Sequence, residues 1–333
     1  MKIFILFACC IPVNGAKRSI VCDLLRCDYI IIPNELFEIL TIHKNKQLKD
    51  ILKKYEQQYH SVITEYFDYL IEKEYGFYCS NKEINNFPDL DLHFETPEKI
   101  NNAIIDINQT SQHNFEKIFT ELEIVGCKFI ELRFFNSINY TTLLKILSNI
   151  EGKVYRNIDI LIQFNDIISK KLINYQIFSI YPQVGNINIY SSPKKITYQH
   201  LNHFLSFSTE SVNSDQDCGK ICLESFSINI PFFTESKNFN NCLNKKVSID
   251  ASGNIKNCPS FKNGYGNINE DASILDVIDS PKFTSLWRKS KDKITVCRDC
   301  EFRYICSDCR AFLNDLNEKP FKCNYNPYQC TWS

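Results

Sequence analysis

Ten of the sixteen cysteines fall at or beyond position 218, and four of them stand in one run, Cys297-Arg298-Asp299-Cys300-Glu301-Phe302-Arg303-Tyr304-Ile305-Cys306-Ser307-Asp308-Cys309. The spacing is C-x2-C-x5-C-x2-C. Two cysteines two residues apart can bend around one metal, because the intervening turn points both sulfurs inward. Upstream, Cys242 is followed by ten residues, then Gly253, four more residues and Cys258. Gly253 sits in Asp250-Ala251-Ser252-Gly253-Asn254, a hairpin-turn sequence between Val247-Ser248-Ile249 and Ile255-Lys256 that would carry Cys258 back beside Cys242. Cys323 and Cys330 lie downstream, flanking Asn324-Tyr325-Asn326-Pro327, and Cys218 and Cys222 lie upstream as a C-x3-C. Four thiolates suit zinc and iron–sulfur clusters alike, so spacing alone leaves both open.

Whether these thiols are ligands or disulfides depends on compartment. The opening Met-Lys and Ile3-Phe4-Ile5-Leu6-Phe7-Ala8 imitate a short signal, but six apolar residues fall short of the usual h-region of about 7–15. The run leads into Cys10-Ile11-Pro12-Val13 and the turn Asn14-Gly15-Ala16-Lys17-Arg18, which reads as a buried strand and a hairpin. A cytoplasmic, reducing location is expected, where clustered thiols become metal ligands before disulfides. A secreted disulfide protein would require the N-terminus to be cleaved. The other six cysteines, Cys9, Cys10, Cys22, Cys27, Cys79 and Cys127, are scattered.

Composition removes other classes. Thirty-eight Lys+Arg balance thirty-nine Asp+Glu, so no basic field points to nucleic acid. No apolar run approaches the roughly eighteen residues of a membrane span. Of nine glycines only Gly264 and Gly266 form a G-x-G, followed by Asn267-Ile268-Asn269, so a dinucleotide fingerprint and a P-loop are both missing.

The 333 residues allow two or three domains at about 100–200 residues each, and an α/β architecture in three regions is expected. Residues 1–82 read as strands Ile3–Cys10, Ser19–Leu25 and Asp28–Ile32, a short helix over Glu35–Leu40, and helices around Leu48–Tyr55 and Val62–Lys73. In the last helix Val62, Tyr66, Tyr69, Leu70 and Lys73 share a face that Ile63 and Phe67 widen, with Gly76 as its left-handed cap. Strands and then helices suggest a winged-helix-like module. After the polar linker Ser80–Pro97, residues 98–213 alternate strand and helix: Ile104–Ile107, Phe115–Ile124, Phe129–Phe135, Leu143–Ile150 and Ile158–Phe164. Ile177–Tyr181 and Ile187–Tyr190 read as further strands, and Tyr198–Phe207 as a helix. That alternation implies a parallel sheet, too short for a full barrel of about 250 residues and therefore open or a partial α/β barrel. Residues 214–333 are loop-rich and too poor in apolar residues for a large core, so metal should organise them. His200 and His203, one helical turn apart, lack a Glu-x-x-His context and read as surface residues, and Asp89-Leu90-Asp91 reads as a solvated linker.

The cysteine pattern from Cys242 to Cys323 resembles the SPASM domain, the C-terminal iron–sulfur module of many radical SAM peptide-modifying enzymes. It departs in ending C-x2-C at Cys306 and Cys309, where the family has C-x3-C, and in an early Cys323. The resemblance implies one [4Fe-4S] cluster on Cys297, Cys300, Cys306 and Cys323. It implies a second on Cys242, Cys258 and Cys309, with Cys218 or Cys222 as fourth ligand. Nearly the whole chain is similar to the SPASM-domain peptide maturases of grasp-with-spasm (graspetide-type) systems, through Val21-Cys22-Asp23-Leu24, Ile32-Pro33-Asn34-Glu35-Leu36-Phe37-Glu38-Ile39-Leu40 and Glu72-Lys73-Glu74-Tyr75-Gly76-Phe77. The same likeness runs on through Ile249-Asp250, Asn257-Cys258-Pro259-Ser260, Cys297–Cys306 and Tyr325-Asn326-Pro327-Tyr328. Such proteins are encoded with an ATP-grasp ligase and a short precursor peptide, which implies both as partners. The first module resembles a PqqD-like leader-peptide recognition element, which adds a peptide as a strand at a sheet edge, here Ser19–Leu25 or Asp28–Ile32 with Tyr66 and Tyr69 beneath.

One motif is missing. Radical SAM enzymes hold their SAM-binding cluster on C-x3-C-x2-C after the first barrel strand, and the matching stretch here, Ile107-Asn108-Gln109-Thr110-Ser111-Gln112-His113-Asn114, has no cysteine. After Cys218 and Cys222 the third place is Ser225, and Cys22 and Cys27 are C-x4-C. SAM is therefore not expected as a cofactor, and whether the chain is itself catalytic stays open. A zinc-stapled adaptor or scaffold with the same partners is the competing expectation.

Overall fold

The computed structural model describes residues 2–333, which form two compact units. The first comprises residues 2–95, Lys220–Asn241 and Lys289–Ser333; the second comprises Thr96–Gly219 and Cys242–Arg288. The sequence division at 82, 98 and 213 differs, because the cysteine-rich region is shared between two cores. Phe302, Tyr304, Ile305 and Tyr325 pack with Val13, Ile20, Cys22 and Leu24 of the first unit. Val247, Ile249, Ile255, Ile274 and Phe283 pack into the core of the second.

In the first unit β1 (Ile3–Leu6), β2 (Cys10–Val13), β3 (Ser19–Asp23) and β4 (Asp28–Ile32) precede α1 (Asn34–Ile42), α2 (Leu48–Leu52), α3 (His60–Glu72) and β5 (Gly76–Cys79). The expected single strand Ile3–Cys10 is broken by a turn in which Cys10 N donates to Phe7 O at 2.8 Å. As a result β1 pairs with β5, while β2, β3 and β4 form a separate antiparallel meander with β3 in the centre. The α3 face turned to the core is Ile63, Phe67 and Leu70; Val62 and Tyr69 are exposed. The left-handed residue after α3 is Glu74 (φ 56°), not Gly76, and Arg26 Nη2 donates to the carbonyls of Lys73 and Glu74 there. Gly76 is needed for close approach instead, since an added Cβ would overlap the Ile5 carbonyl and the Phe4 ring. Gly76→Ala is expected to destabilise this unit by about 1–3 kcal/mol, read by chemical denaturation.

The second unit is built on one sheet: β6 (Asn102–Ile107), β7 (Phe129–Phe134), β8 (Asn157–Gln163), β9 (Val184–Tyr190), β10 (Ile196–His200), β11 (His203–Phe207), β12 (Lys246–Ile249) and β13 (Ile255–Lys256). Their order is β10-β11-β9-β8-β7-β6-β12-β13, parallel from β11 to β12 with antiparallel pairs at both edges. This is the expected α/β alternation as an open sheet, completed by strands from the cysteine-rich region. Helices α4 (Phe115–Ile124), α5 (Tyr140–Leu147) and α6 (Asp166–Leu172) are each capped by an asparagine side chain, Asn114, Asn139 and Asn165, so the abundant Asn has local structural work.

Two element types differ from expectation. Ile177–Tyr181 is not a strand: α7 (Gln176–Ile180) occupies it and buries Ile177 and Phe178. Tyr198–Phe207 is not a helix but the β10–β11 hairpin, turning at Leu201 (φ 53°) and burying alternate residues Leu205 and Phe207.

Two rows of polar side chains cross this sheet. Glu131, Asp159 and Asn186 are in register on β7, β8 and β9, and Asn186 Nδ2 donates to Asp159 Oδ1 at 2.6 Å. Next to them Arg133 makes a two-point ion pair with Asp106, at 2.7 and 2.9 Å, with both residues buried.

Candidate metal centre

Cys297, Cys300, Cys306 and Cys323 all lie in the first unit. Cys297 is buried and the other three are half-buried. The loop bearing them is fixed at both ends by side chains of the first unit. Asn241 Nδ2 donates to Cys306 O at 3.0 Å, Asp308 N donates to Asn241 Oδ1, and Asn240 Nδ2 donates to Asp308 Oδ2. Asp308 pairs with the buried Arg310 at 2.6 Å, and Arg310 Nη1 donates to the carbonyls of Leu316 and Glu318. A parallel bridge between Ile221 and Cys323 brings the Cys222 segment to this loop.

The other side of the loop is held by the β2–β3 turn. Arg303 Nη2 donates to Asn14 Oδ1 at 2.7 Å, Ala16 N to Asp299 O at 2.7 Å, and Arg18 Nε to the buried Glu301 at 2.8 Å. Tyr325 OH donates to the same Glu301 oxygen. Arg303 and Tyr304 also both donate to Asp292. The residues between the cysteines thus anchor the loop to the meander.

Electrostatics links the four thiols to one another and to a cation. Burial pushes Cys297 up to about 12, with Lys291 opposing and Cys306 adding to it. Cys300 is held well above the ordinary thiol range by burial, then by Glu301, Cys306 and Cys297. Cys306 is raised by burial and by Cys323, and lowered by Lys291. Lys291 is 2% exposed. Its ammonium donates to Cys306 O, and although burial disfavours its charge, Cys306, Asp308 and Cys297 raise its pKa above the ordinary lysine value. Protonated, these buried thiols are inert; a metal would displace their protons, and Lys291 would offset part of the resulting thiolate charge. This donor set, soft and beside a buried cation, fits an iron–sulfur group, which when bound would cross-link the loop. Sequence reasoning missed Lys291, since Ser290-Lys291-Asp292-Lys293 reads as a solvated basic turn.

The other expected ligands divide between the units. Cys242, Cys258 and Cys218 belong to the second; Cys309 and Cys222 belong to the first. Cys309 is buried, Cys218 exposed, and Cys222, Cys242 and Cys258 half-buried. The expected hairpin is present, with Gly253 at φ 89° and Asp250 Oδ1 accepting from Ser252 N and Asn254 N. Asn257 Nδ2 donates to the carbonyls of Leu243 and Lys246, so the Cys258 strand returns to the segment after Cys242.

The loop after β6 that would carry a SAM-cluster triad is a polar turn. Asn108 Oδ1 accepts from Thr110 N, Ser111 Oγ donates to Ala251 O at 2.6 Å, and His113 Nε2 bonds Asp106 O at 2.8 Å. His200 and His203 face each other across the hairpin, stacked on Tyr175 and Phe178, with His203 Nδ1 at 2.7 Å from Val184 O. His200 is exposed and His203 half-buried, as expected of surface residues. Among the described residues no helix is long and apolar enough to cross a membrane.

No curated protein matches the chain. Solved structures that match include Streptococcus suis SuiB bound to S-adenosylmethionine, at 11% identity over 92% of this chain and 96% of that one, with a TM-score of 0.35. A second structure of Streptococcus suis SuiB matches at 12% identity over 96% and 97%, with a TM-score of 0.32. Likeness at this level fixes neither fold nor chemistry. The cysteine pattern carries more: residues 241–301 match the SPASM family, an iron-sulfur cluster-binding domain.

Proposed function

We propose that this chain is an iron–sulfur protein acting in the maturation of a ribosomally synthesised peptide, binding the precursor and working with an ATP-grasp ligase in the cytoplasm. The observation that carries the reading is the C-x2-C-x5-C set Cys297, Cys300 and Cys306 with Cys323, in which Cys297 and Cys306 act on buried Lys291 and Cys297 and Cys300 fall within the SPASM match at 241–301. These four hold one [4Fe-4S] cluster.

Precursor recognition is assigned to the N-terminal meander, as in PqqD-like elements. Of the two candidate edges, Ser19–Leu25 is excluded as an added-strand site, because β3 already pairs on both sides. That leaves β4, where Ile31 is 49% exposed. An extended leader added there would gain backbone hydrogen bonds along the strand and an apolar contact at Ile31. Ile31→Glu, an exposed change that leaves the core alone, should weaken leader binding about tenfold or more in calorimetry with the full-length chain, while iron content stays the same. Equal affinity in both proteins would move recognition away from this edge.

No radical initiation is assigned to the chain, because the loop after β6 holds no thiol. Reconstituted protein with SAM and a strong reductant is expected to form no 5′-deoxyadenosine above a heat-killed control. Its formation would show that another cysteine set binds SAM.

A further inference from the structure

A second metal-ligating cluster lies apart from the cysteine-rich loop, at the start of β2. Cys9 Sγ, Cys10 Sγ and a carboxylate oxygen of Asp23 all stand within 4.8 Å of one another. Adjacent residues of a strand point to opposite faces, and Cys9 and Cys10 escape that alternation because Cys9 lies in the turn closed by Cys10 N and Phe7 O. Cys10 and Asp23 are direct cross-strand partners in the β2–β3 register, and Cys10 Sγ donates to Asp23 Oδ2 at 3.7 Å. Leu24 N donates to Cys9 O, which ties the turn to the end of β3.

We propose that Cys9, Cys10 and Asp23 form a binding site for a single borderline-soft divalent cation, zinc first among them. Asp23 is 3% exposed and its orientation is fixed, since Oδ1 accepts from Leu25 N and Arg26 N and Oδ2 accepts from Arg26 Nε at 2.6 Å. Cysteine thiolates and aspartate oxygens are both zinc ligands. The charge also closes. The site starts as an Asp23–Arg26 ion pair and two neutral thiols; binding one dication with loss of two thiol protons to solvent leaves the net charge unchanged at zero. No redox step is involved. The fourth position faces an open groove of about 680 Å³ lined by Cys9, Asp23, Phe7, Glu74 and Leu90, which gives access from solvent and room for a water. The site is independent of the iron–sulfur reading, because none of its donors belongs to the cysteine-rich loop.

The test uses full-length chain in which iron and sulfide have first been reconstituted, so that the loop cysteines are occupied. Zinc is then titrated against a chromophoric chelator, for the wild type, for Cys9→Ala, and for Cys27→Ala as an exposed-thiol control. The wild type and Cys27→Ala should take up one zinc per chain that Cys9→Ala binds about 100-fold or more weakly, with iron content equal in all three. Equal zinc binding by wild type and Cys9→Ala would overturn the proposal. Zinc-edge X-ray absorption of the wild type needs no variant. Two sulfurs near about 2.3 Å with oxygen neighbours near about 2.0 Å are expected, and a four-sulfur shell would place the zinc elsewhere and overturn the assignment.

Discussion

Cys300→Ser, reconstituted anaerobically, is expected to lose about one cluster's complement of iron, roughly four atoms per chain, and the stability of the loop with it. Burial raises the Cys300 thiol well above its ordinary range, with Glu301, Cys306 and Cys297 adding to it, so without metal it stays protonated. A serine hydroxyl there keeps the volume and removes the soft ligand. The effect should spread, because Glu301 and Arg303, one and three residues on, hold Arg18 and Asn14 of the β2–β3 turn. Faster amide exchange in residues 14–18 is therefore expected beside the lost iron. Cys330→Ser, outside the four, should keep its iron. Unchanged iron in Cys300→Ser would remove the shared centre.

Arg133→Met should destabilise the second unit by about 3–5 kcal/mol, the cost of leaving a buried carboxylate without its partner. Asp106 and Arg133 are 2% and 5% exposed, and Arg133 supplies both hydrogen bonds the Asp106 carboxylate receives from it. Burial raises Asp106 and Arg133 lowers it, so removing the arginine leaves burial to act with less opposition. The pH dependence has a defined sign. In the variant the folded-state pKa of Asp106 lies above the unfolded value of about 3.9, so the deficit is full at neutral pH. It shrinks as pH falls through the raised folded value and is gone below the unfolded one. Asp106→Asn with Arg133→Met should recover much of the loss, since no lone charge remains. Trp287 lies in the second unit and Trp332 in the first, so fluorescence-detected denaturation in a Trp332→Phe background follows the relevant unit.

The hairpin that carries Cys258 is legible in the sequence because turn chemistry is local. The C-x2-C-x5-C run and the Gly253 hairpin need only a few neighbouring residues to be read, and so does α4, found over the expected Phe115–Ile124. What sequence could not give is long-range. Ile177–Tyr181 and Tyr198–Phe207 are short apolar runs whose period fits helix or strand until their partners are known. Val247 and Ile249 sit in a loop-rich region, yet they bury against the sheet of a stretch more than a hundred residues earlier, which only the parallel pairing of β12 with β6 reveals. Lys291 was hidden for the same reason: it is buried, with its ammonium donating to the carbonyl of Cys306, fifteen residues on.

The central claim is that the cysteine-rich region carries iron–sulfur clusters, and iron, acid-labile sulfide and zinc per anaerobically purified chain test it most directly. About four irons and four sulfides for each cluster, eight of each if both sets of ligands are filled, are expected, with the visible absorption of [4Fe-4S] centres that bleaches on reduction. Zinc at one or two atoms per chain, with no sulfide and no visible absorption, would contradict it and leave a zinc-stapled adaptor in its place.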